Sequence, residues 1–335
     1  MTDHATAQPP LVQVKDLCVD FQTENGWLRA VDHLSFAIPR GTTFGLVGES
    51  GCGKTVTAMS IPRLVPQPPG RISQGKIIFN GQDLLKLPAG AMRAIRGKDI
   101  GVIFQEPMTA LSPLHRIGEQ LAEVIHIHRQ VSRKDALASA GDWLLRVGIP
   151  DPAQRLRAYP FELSGGMRQR VMIAMAMILR PQLIIADEPT TALDVTIQAQ
   201  ILDLMRSMLD EHTSLLMITH DMGVIWEMCS SMAVMYASRI VETGPVRELF
   251  AKPLHPYTRG LMQAIPAIQR DAKRLSHIPG QVPSLLNLPA GCAFADRCPH
   301  VMPQCRLNPP PPLRPVGKQH VACHLHNATP PDAMT

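Results

Sequence analysis

Gly48-Glu-Ser-Gly-Cys-Gly-Lys-Thr55 fits the pattern G-x-x-x-x-G-K-[ST] of a phosphate-binding loop. The apolar run Phe44–Val47 before it predicts the short buried strand that such a loop follows. Glycines let backbone N–H groups point at an anion, while Lys54 reaches the outer phosphates and the Thr55 hydroxyl ligates Mg²⁺. The sequence therefore predicts a nucleoside triphosphate site formed by Gly48, Glu49, Ser50, Gly51, Cys52, Gly53, Lys54, Thr55 and Val56.

The composition is that of an ordinary globular protein, because 45% of the 335 residues are hydrophobic and 18% are charged. The longest strongly apolar run, Val171–Leu179, has nine residues, far fewer than the roughly 20 that a membrane-spanning helix needs. Residues 1–10 lack the apolar core of a secretory signal, so we expect a cytosolic protein with reduced or metal-bound cysteines. The net charge of +5 is small and no dense basic run is present, so we expect no nucleic-acid partner.

The order of patterns along the chain predicts an α/β fold with a parallel-sheet core. Short strand patterns come first, at Val12–Val14, Leu17–Phe21, Leu34–Ile38, Phe44–Val47 and Lys76–Phe79. A helical insert follows, in which apolar residues recur at helical spacing between Ile117 and Val147. Then come a helix, two buried strands and the helix between them, at Val171–Leu179, Leu183–Ala186, Ser214–Ile218 and Ile197–Leu209.

Two carboxylates, Asp187 and Glu188, follow the apolar run Leu183–Ala186. Such a pair at a strand end is often only a helix cap or a solvated turn. Because it follows a phosphate-binding loop here, we expect Asp187 to hold Mg²⁺ through water and Glu188 to take a proton from the attacking water.

Further segments stand in a fixed order around this pair. They are Gln105 after an apolar run, Leu163-Ser-Gly-Gly-Met-Arg-Gln-Arg170, Ala192-Leu-Asp194 and His220 at the end of an apolar run. Together they resemble the ATP-binding cassette of ABC transporters, and the resemblance extends from Leu11 to about Phe250. It implies a P-loop NTPase cassette at residues 1–250, with an antiparallel β subdomain and a helical subdomain at about 114–165.

The resemblance also implies a dimer in which two cassettes face each other head to tail. Each ATP then lies between one phosphate-binding loop and the Ser-Gly-Gly turn of the other chain. In this chain Ser164, Gly165 and Gly166 would contact the partner's ATP, and Asp194 would couple the two sites.

By the same resemblance, Gln105 senses the γ-phosphate, His220 binds that phosphate and positions the water, and Glu188 is the general base. Mg²⁺ is held by Thr55, Gln105 and Asp187. Phe21 lies where the family has an aromatic ring stacked on adenine, although Trp27 offers a flat ring nearby.

Within ABC proteins the chain most resembles the ATP-binding subunits of dipeptide and oligopeptide importers, of the D-type. The segments that carry this are Gln105-Glu-Pro-Met-Thr-Ala-Leu-Ser-Pro113, Asp187-Glu-Pro-Thr-Thr-Ala-Leu-Asp-Val-Thr-Ile-Gln198, His255-Pro-Tyr-Thr-Arg-Gly-Leu261 and Ile278-Pro-Gly-Gln-Val-Pro-Ser284. The resemblance implies a second, different ATP-binding subunit, two transmembrane permease subunits and, indirectly, a periplasmic substrate-binding protein. The expected place is the cytoplasmic face of a bacterial inner membrane.

Two alternatives to peptide uptake stay open. The same branch includes importers of nickel, glutathione and other small cargo, and no residue of this chain is expected to touch cargo. A regulatory ABC ATPase outside transport is the alternative from another class. Repair and chromosome ATPases are disfavoured because they insert long coiled coils, for which Glu106–Leu163 leaves no room.

The C-terminal segment, residues 251–335, is predicted to be a loop-rich appended module that adds no strands to the sheet. Fifteen of the 31 prolines lie in the last 90 residues. Cys292, Cys298, Cys305 and Cys323 have the spacing C-x₅-C-x₆-C-x₁₇-C, which lacks the tight knuckle of structural zinc sites. With the resemblance, this favours a [4Fe–4S] cluster over Zn²⁺. Among the other cysteines, Cys52 is expected to react with alkylating agents, and bound ATP to protect it.

Overall fold

The computed structural model describes residues 8–191, 194–264 and 278–326, and it has the predicted α/β architecture. The strands are β1 (Val12–Thr23), β2 (Gly26–Ile38), β3 (Thr43–Val47), β4 (Gly70–Phe79), β5 (Gln82–Asp83), β6 (Ile100–Ile103), β7 (Leu183–Asp187), β8 (Ser214–Thr219), β9 (Ser231–Tyr236), β10 (Arg239–Pro245), β11 (Arg314–Val316) and β12 (Gln319–Val321). The helices are α1 (Lys54–Ser60), α2 (Ala89–Ile95), α3 (Pro107–Ala110), α4 (Ile117–His128), α5 (Arg133–Arg146), α6 (Pro152–Arg155), α7 (Gly165–Met177), α8 (Val195–Met208), α9 (Met222–Met228), α10 (Val246–Ala251) and α11 (Pro256–Gln263).

The larger sheet has the strand order β11-β12-β10-β9-β3-β8-β7-β6. Strands β6, β7, β8, β3 and β9 run parallel. Alternate residues of β7 belong to two hydrophobic clusters, with Ile184 and Ala186 in one and Leu183 and Ile185 in the other, so both faces of the sheet are covered. The carboxyl ends of β3, β7 and β8 meet at one edge, where open α/β sheets form ligand sites.

The smaller sheet is antiparallel, with the order β2-β1-β4-β5. Its strand β1 joins two segments that the sequence predicts as separate strands, Val12–Val14 and Leu17–Phe21. The register shifts between Val14 and Leu17, and Asp16 there has a φ of 51°. A bulge with an Asp in the left-handed region therefore lets one strand continue through the polar break.

The predicted helical insert is present as α3 to α6, between β6 and α7. Helices α4, α5 and α7 bury apolar side chains in one cluster, among them Ile117, Leu121, Leu144 and Val171. Among the helices of the described ranges, none is long and apolar enough to cross a membrane. The boundaries at 114–165 and at residue 250 stay predictions.

The prediction that the C-terminal segment adds no strands to the sheet is wrong. The hairpin β11–β12 pairs with β10, with Glu242 opposite Val321 and Thr243 opposite His320. Strand β11 forms the outer edge, where Pro315 is tolerated because its missing N–H needs no partner strand. The hairpin covers the edge of β10, which would otherwise present unpaired backbone groups.

Candidate functional site

The phosphate-binding loop joins β3, at the centre of the larger sheet, to α1. Its backbone needs glycine at two positions. A Cβ on Gly48 would lie 2.3 Å from the carbonyl oxygen of Met235, and one on Gly53 would lie 2.3 Å from that of Ala30. The loop conformation is therefore fixed by close backbone packing against neighbouring strands.

Lys54 and Thr55 begin α1 and lie where the loop pattern predicts them. The Lys54 side chain is buried, and its ammonium donates hydrogen bonds to the carbonyl oxygens of Gly48 (2.8 Å) and Glu49 (3.1 Å). The Thr55 hydroxyl donates to the carboxylate of Asp187 at 3.1 Å. Two of the three predicted Mg²⁺ ligands are therefore in direct contact.

Asp187 ends β7 and is almost completely buried. Burial raises the pKa of its carboxyl, while the hydrogen bond from Thr55 opposes the rise. A hydroxyl and a carboxylate in contact are hard oxygen donors, which suit Mg²⁺ together with phosphate and water oxygens. The donor set therefore fits the predicted Mg²⁺, with the Gln105 side-chain oxygen as the remaining candidate ligand.

Glu188 brings the predicted catalytic residues together. Its carboxylate accepts a hydrogen bond from the Gln105 amide at 3.4 Å, and its other oxygen lies 3.4 Å from His220 Nδ1. The residue has a φ of 45°, which is rare for a side chain of this size, and its N–H donates to the carbonyl of Ile218. This bond fixes the strained backbone, an arrangement found at active sites. The hydroxyl of Thr191 also donates to the Glu188 carboxylate, at 2.9 Å.

The Ser-Gly-Gly turn formed by Ser164, Gly165 and Gly166, called the signature turn below, lies at the start of α7. Ser164 is exposed and caps the helix by accepting the Met167 N–H at 3.3 Å. Gly165 is also exposed, and a Cβ added to it would meet no atom within 4 Å. A Cβ on Gly166 would lie 3.3 Å from a methyl carbon of Ile197. Packing within the described part of the chain therefore gives no reason for glycine at position 165.

One polar contact joins α7 to the segment that follows β7, and another caps α8. The buried Gln169 side chain donates to the carbonyl of Pro189, next to Glu188, at 2.5 Å. Asp194 caps α8 by accepting the Ile197 N–H at 2.9 Å. Residues 192 and 193 lie outside the described ranges.

The predicted adenine platform lies on the antiparallel sheet. Phe21 is half-buried in β1, between Leu28 of β2 and Gly70 of β4. The guanidinium of Arg71 lies 3.7 Å from the ring centre of Trp27, so one face of that ring is already stacked. Phe21 therefore stays the predicted platform.

The structure revises the expectation that Cys52 is reactive. Its side chain is only 1% exposed, and burial raises the pKa of its thiol. The thiolate is the nucleophile, so a buried thiol with a raised pKa reacts slowly.

The four predicted cluster cysteines line one small cavity in the C-terminal segment, together with Phe294. Burial raises the pKa of Cys292 to about 11, and the neighbouring thiols contribute to the rise. In the described part of the chain, no three of these sulfurs lie within 4.8 Å of one another. Four thiolates on one tetrahedral zinc would be about 3.8 Å apart, given Zn–S bonds of about 2.3 Å.

Sequence reasoning missed three residues at this site. Thr191 lies beside Glu188, within a segment that the resemblance already singles out. Tyr257 and Arg297 contact Glu49 of the phosphate-binding loop from the C-terminal segment. The available signals were the motif His255-Pro-Tyr-Thr and the position of Arg297 next to Cys298, but neither says what the side chains contact.

Known protein families match two parts of the chain. Residues 31–191 match the family described as ABC transporter, and residues 241–305 match the family described as oligopeptide/dipeptide transporter, C-terminal region. The chain is similar to a putative peptide import ATP-binding protein of Brucella melitensis, with 49% identity over 94% of this chain and 96% of the relative. It is also similar to the oligopeptide transport ATP-binding protein OppD of Salmonella typhimurium, with 46% identity over 92% and 93%.

The fold is similar to that of the ATP-binding cassette MJ0796, solved as a dimer in a post-hydrolysis state with ADP and Pi. The TM-score is 0.63 at 24% identity, over 70% of this chain and 99% of the other. The chain therefore belongs to the ABC transporter family of ATP-binding proteins and is an ATPase of that family.

Proposed function

We propose that this chain is the D-type motor subunit of an importer of short peptides at the cytoplasmic face of a bacterial inner membrane. The observation that carries the ATPase site is the convergence of Gln105 and His220 on the two oxygens of Glu188, next to the Thr55–Asp187 pair. The names of the relatives support peptides as cargo. Nickel, glutathione and other small cargo of the same family are the alternatives.

In the proposed mechanism, Lys54 exchanges its contacts with the Gly48 and Glu49 carbonyls for the outer phosphates of ATP. Thr55, Asp187 and Gln105 would hold Mg²⁺, which would neutralise charge on the phosphate oxygens. Glu188 takes a proton from the attacking water, while His220 binds the γ-phosphate.

Gln105, His220 and Thr191 contact the Glu188 carboxylate and so orient it before ATP arrives. Orientation of the base in advance lowers the entropy cost of the proton transfer. Phe21 provides the ring against which the adenine stacks.

We propose that the active form is a pair of ATP-binding subunits. The exposure of Ser164 and the open space around Gly165 support this, because a glycine that packing does not require suits close approach of a partner's ATP. Asp194 would then couple the two sites. Two permease subunits and a periplasmic binding protein would complete the importer, with the helical segment 114–165 as the docking part.

We propose that Cys292, Cys298, Cys305 and Cys323 hold a [4Fe–4S] cluster, with Zn²⁺ as the alternative. The cavity that all four cysteines line supports one metal group held by their thiolates, and their wide spacing in the sequence favours the cluster over Zn²⁺. Such a cluster would supply four metal–thiolate bonds that fix a proline-rich segment with little core of its own. Anaerobically purified protein should show iron–sulfur absorbance in the visible region, whereas a colourless sample containing zinc would contradict the cluster.

Glu188→Gln tests the mechanism. The variant should bind Mg·ATP normally, hydrolyse it about 10²–10⁴ times more slowly and accumulate as a closed pair with its partner subunit. Lys54→Ala is the matched control, because it should lose ATP binding itself. Turnover of Glu188→Gln at the wild-type rate would overturn the assignment of the base.

The cargo, and the choice between an importer subunit and a regulatory ATPase, are tested in the cell. A deletion strain should lose uptake of labelled dipeptides or oligopeptides and keep uptake of nickel. The tagged chain should also co-purify with membrane permease subunits, as a regulatory ATPase outside transport would not. If the strain loses only nickel uptake, nickel and not peptides is the cargo.

A further inference from the structure

We propose that Arg297 and Tyr257, which lie in the C-terminal segment, are positioning residues of the ATP site. They hold Glu49, the second residue of the phosphate-binding loop, and Arg297 neutralises its charge. The inference rests on the proposed ATP site around Lys54 and extends that site to residues more than 200 positions away in sequence.

The Arg297–Glu49 contact is a bidentate ion pair. Arg297 Nη1 lies 2.9 Å from one carboxylate oxygen of Glu49, and Nη2 lies 3.2 Å from the other. The Arg297 side chain is 7% exposed and that of Glu49 is 26% exposed, so the pair is largely shielded from water. Two parallel charge-assisted bonds in such surroundings fix geometry as well as charge.

The other contacts of Arg297 hold its guanidinium in place. Nε donates to the carbonyl of Pro279 at 3.0 Å, and Nη2 donates to the carbonyl of Ile278 at 3.3 Å. Nη1 also lies 3.3 Å from the hydroxyl of Tyr236, on the strand next to the loop strand β3. These bonds order the side chain before any nucleotide binds.

Tyr257 holds the backbone of the same loop residue. The N–H of Glu49 donates to the Tyr257 hydroxyl at 2.9 Å. Tyr257 is completely buried, and its ring packs against Tyr236 and Phe294 at centroid distances of 4.7 and 5.5 Å. The Glu49 N–H is therefore engaged in anchoring the loop.

The start of α11 places Tyr257. His255 caps this helix through its side chain, and the His255 and Leu254 N–H groups donate to the buried carboxylate of Glu242 on β10. The motif His255-Pro-Tyr-Thr is thereby fastened to the larger sheet, with the Tyr257 hydroxyl under the loop.

The Arg297–Glu49 ion pair matters for ATP binding because Glu49 is negatively charged. ATP brings several negative charges to the loop, and an unpaired carboxylate beside them would repel the phosphates. Paired with Arg297, Glu49 contributes little net charge. The loop therefore binds ATP well only when the segment that carries Arg297 is folded against it.

A double-mutant cycle on the full-length protein tests this. Binding of a fluorescent ATP analogue with Mg²⁺ is titrated for the wild type, Arg297→Gln, Glu49→Gln and the double variant. Arg297→Gln should weaken binding about tenfold and raise KM more than it lowers kcat, because it leaves a bare carboxylate in the loop. The double variant should return to within about threefold of the wild type, because the repelling charge is gone.

The matched control is Arg306→Gln, which breaks the exposed Arg306–Asp296 ion pair of the same segment and should leave ATP affinity unchanged. Arg297→Lys keeps the charge and Tyr257→Phe keeps the ring, so each should lose less affinity than Arg297→Gln if it folds. Wild-type affinity in Arg297→Gln, or equal weakness of the double variant and Arg297→Gln, would overturn the inference.

A wrong assignment of the ATP site itself would give different results. If the wild type does not bind the analogue, or Lys54→Ala binds it equally well, the proposed site is wrong and this inference falls with it. If wild-type binding depends on Lys54 while the Arg297 variants bind normally, only the inference is wrong.

Discussion

Gly165→Asp tests whether the signature turn acts on the ATP of the partner subunit rather than within its own chain. Gly165 is exposed at the first position of α7, and an added side chain would start in open space. A carboxylate in the first turn of a helix interacts favourably with the helix dipole, by about 0.3–1 kcal/mol. The isolated variant should therefore be folded, at least as stable as the wild type, and able to bind ATP at Lys54.

In the paired form the same carboxylate would face the partner's triphosphate. At about 5 Å and an effective dielectric constant of about 20, each pair of negative charges costs about 3 kcal/mol. This corresponds to a loss of about 100-fold in ATP-dependent pairing.

The assay is ATP hydrolysis together with ATP-dependent association with the partner subunit, measured by gel filtration. Gly90→Asp is the matched control, since Gly90 lies in the first turn of α2 and an added Cβ there also meets no atom within 4 Å. Pairing and hydrolysis should be lost in Gly165→Asp and kept in Gly90→Asp. Wild-type pairing in Gly165→Asp would refute the reasoning, as would loss of ATP binding by that isolated variant.

Three further outcomes are expected. Burial raises the pKa of Asp187, so its carboxyl holds a proton more tightly in the folded apo protein than in the unfolded chain. The stability of the apo protein therefore falls as pH rises through the raised pKa. Asp187→Asn should therefore stabilise the apo protein at neutral pH and lose the extra thermal stability that Mg·ATP gives the wild type; unchanged stabilisation by Mg·ATP would contradict the Mg²⁺ site. Thr191→Ala should lower kcat about tenfold with little change in KM, because the hydroxyl only orients Glu188; an equal rise in KM would point to a role in binding. Iodoacetamide should label Cys52 more than about tenfold more slowly than the partly exposed Cys298, as followed by mass spectrometry of the metal-free protein; equal rates would show that the loop opens readily.

Local pattern was enough to predict the parts of the site that lie within one strand and its following turn. The loop at 48–55 follows a buried apolar strand and the pair Asp187–Glu188 stands at the end of another, and parallel strands bring their carboxyl ends to one edge. Hydrophobic periodicity is also a local pattern, and it was enough to predict the α/β architecture and the helical insert.

The contacts of the C-terminal segment could not be predicted in this way. Glu49 and Arg297 are 248 positions apart, and no periodicity relates them. Strands β11 and β12 have three residues each, too few to show alternation, and Pro315 within β11 speaks against a strand unless it forms an edge. The burial of Cys52 depends on a hydrophobic cluster that also includes Met235 of the strand β9, which no local pattern predicts.

The central claim is that one ATP is held by two chains, and photo-cross-linking tests it most directly. This chain with Lys54→Ala, which should not bind ATP itself, is mixed with its wild-type partner subunit and an ATP analogue that carries a photoreactive γ-phosphate. After illumination, mass spectrometry should find the label on this chain at residues 164–166. Label on the partner subunit alone, with none on this turn, would contradict the account.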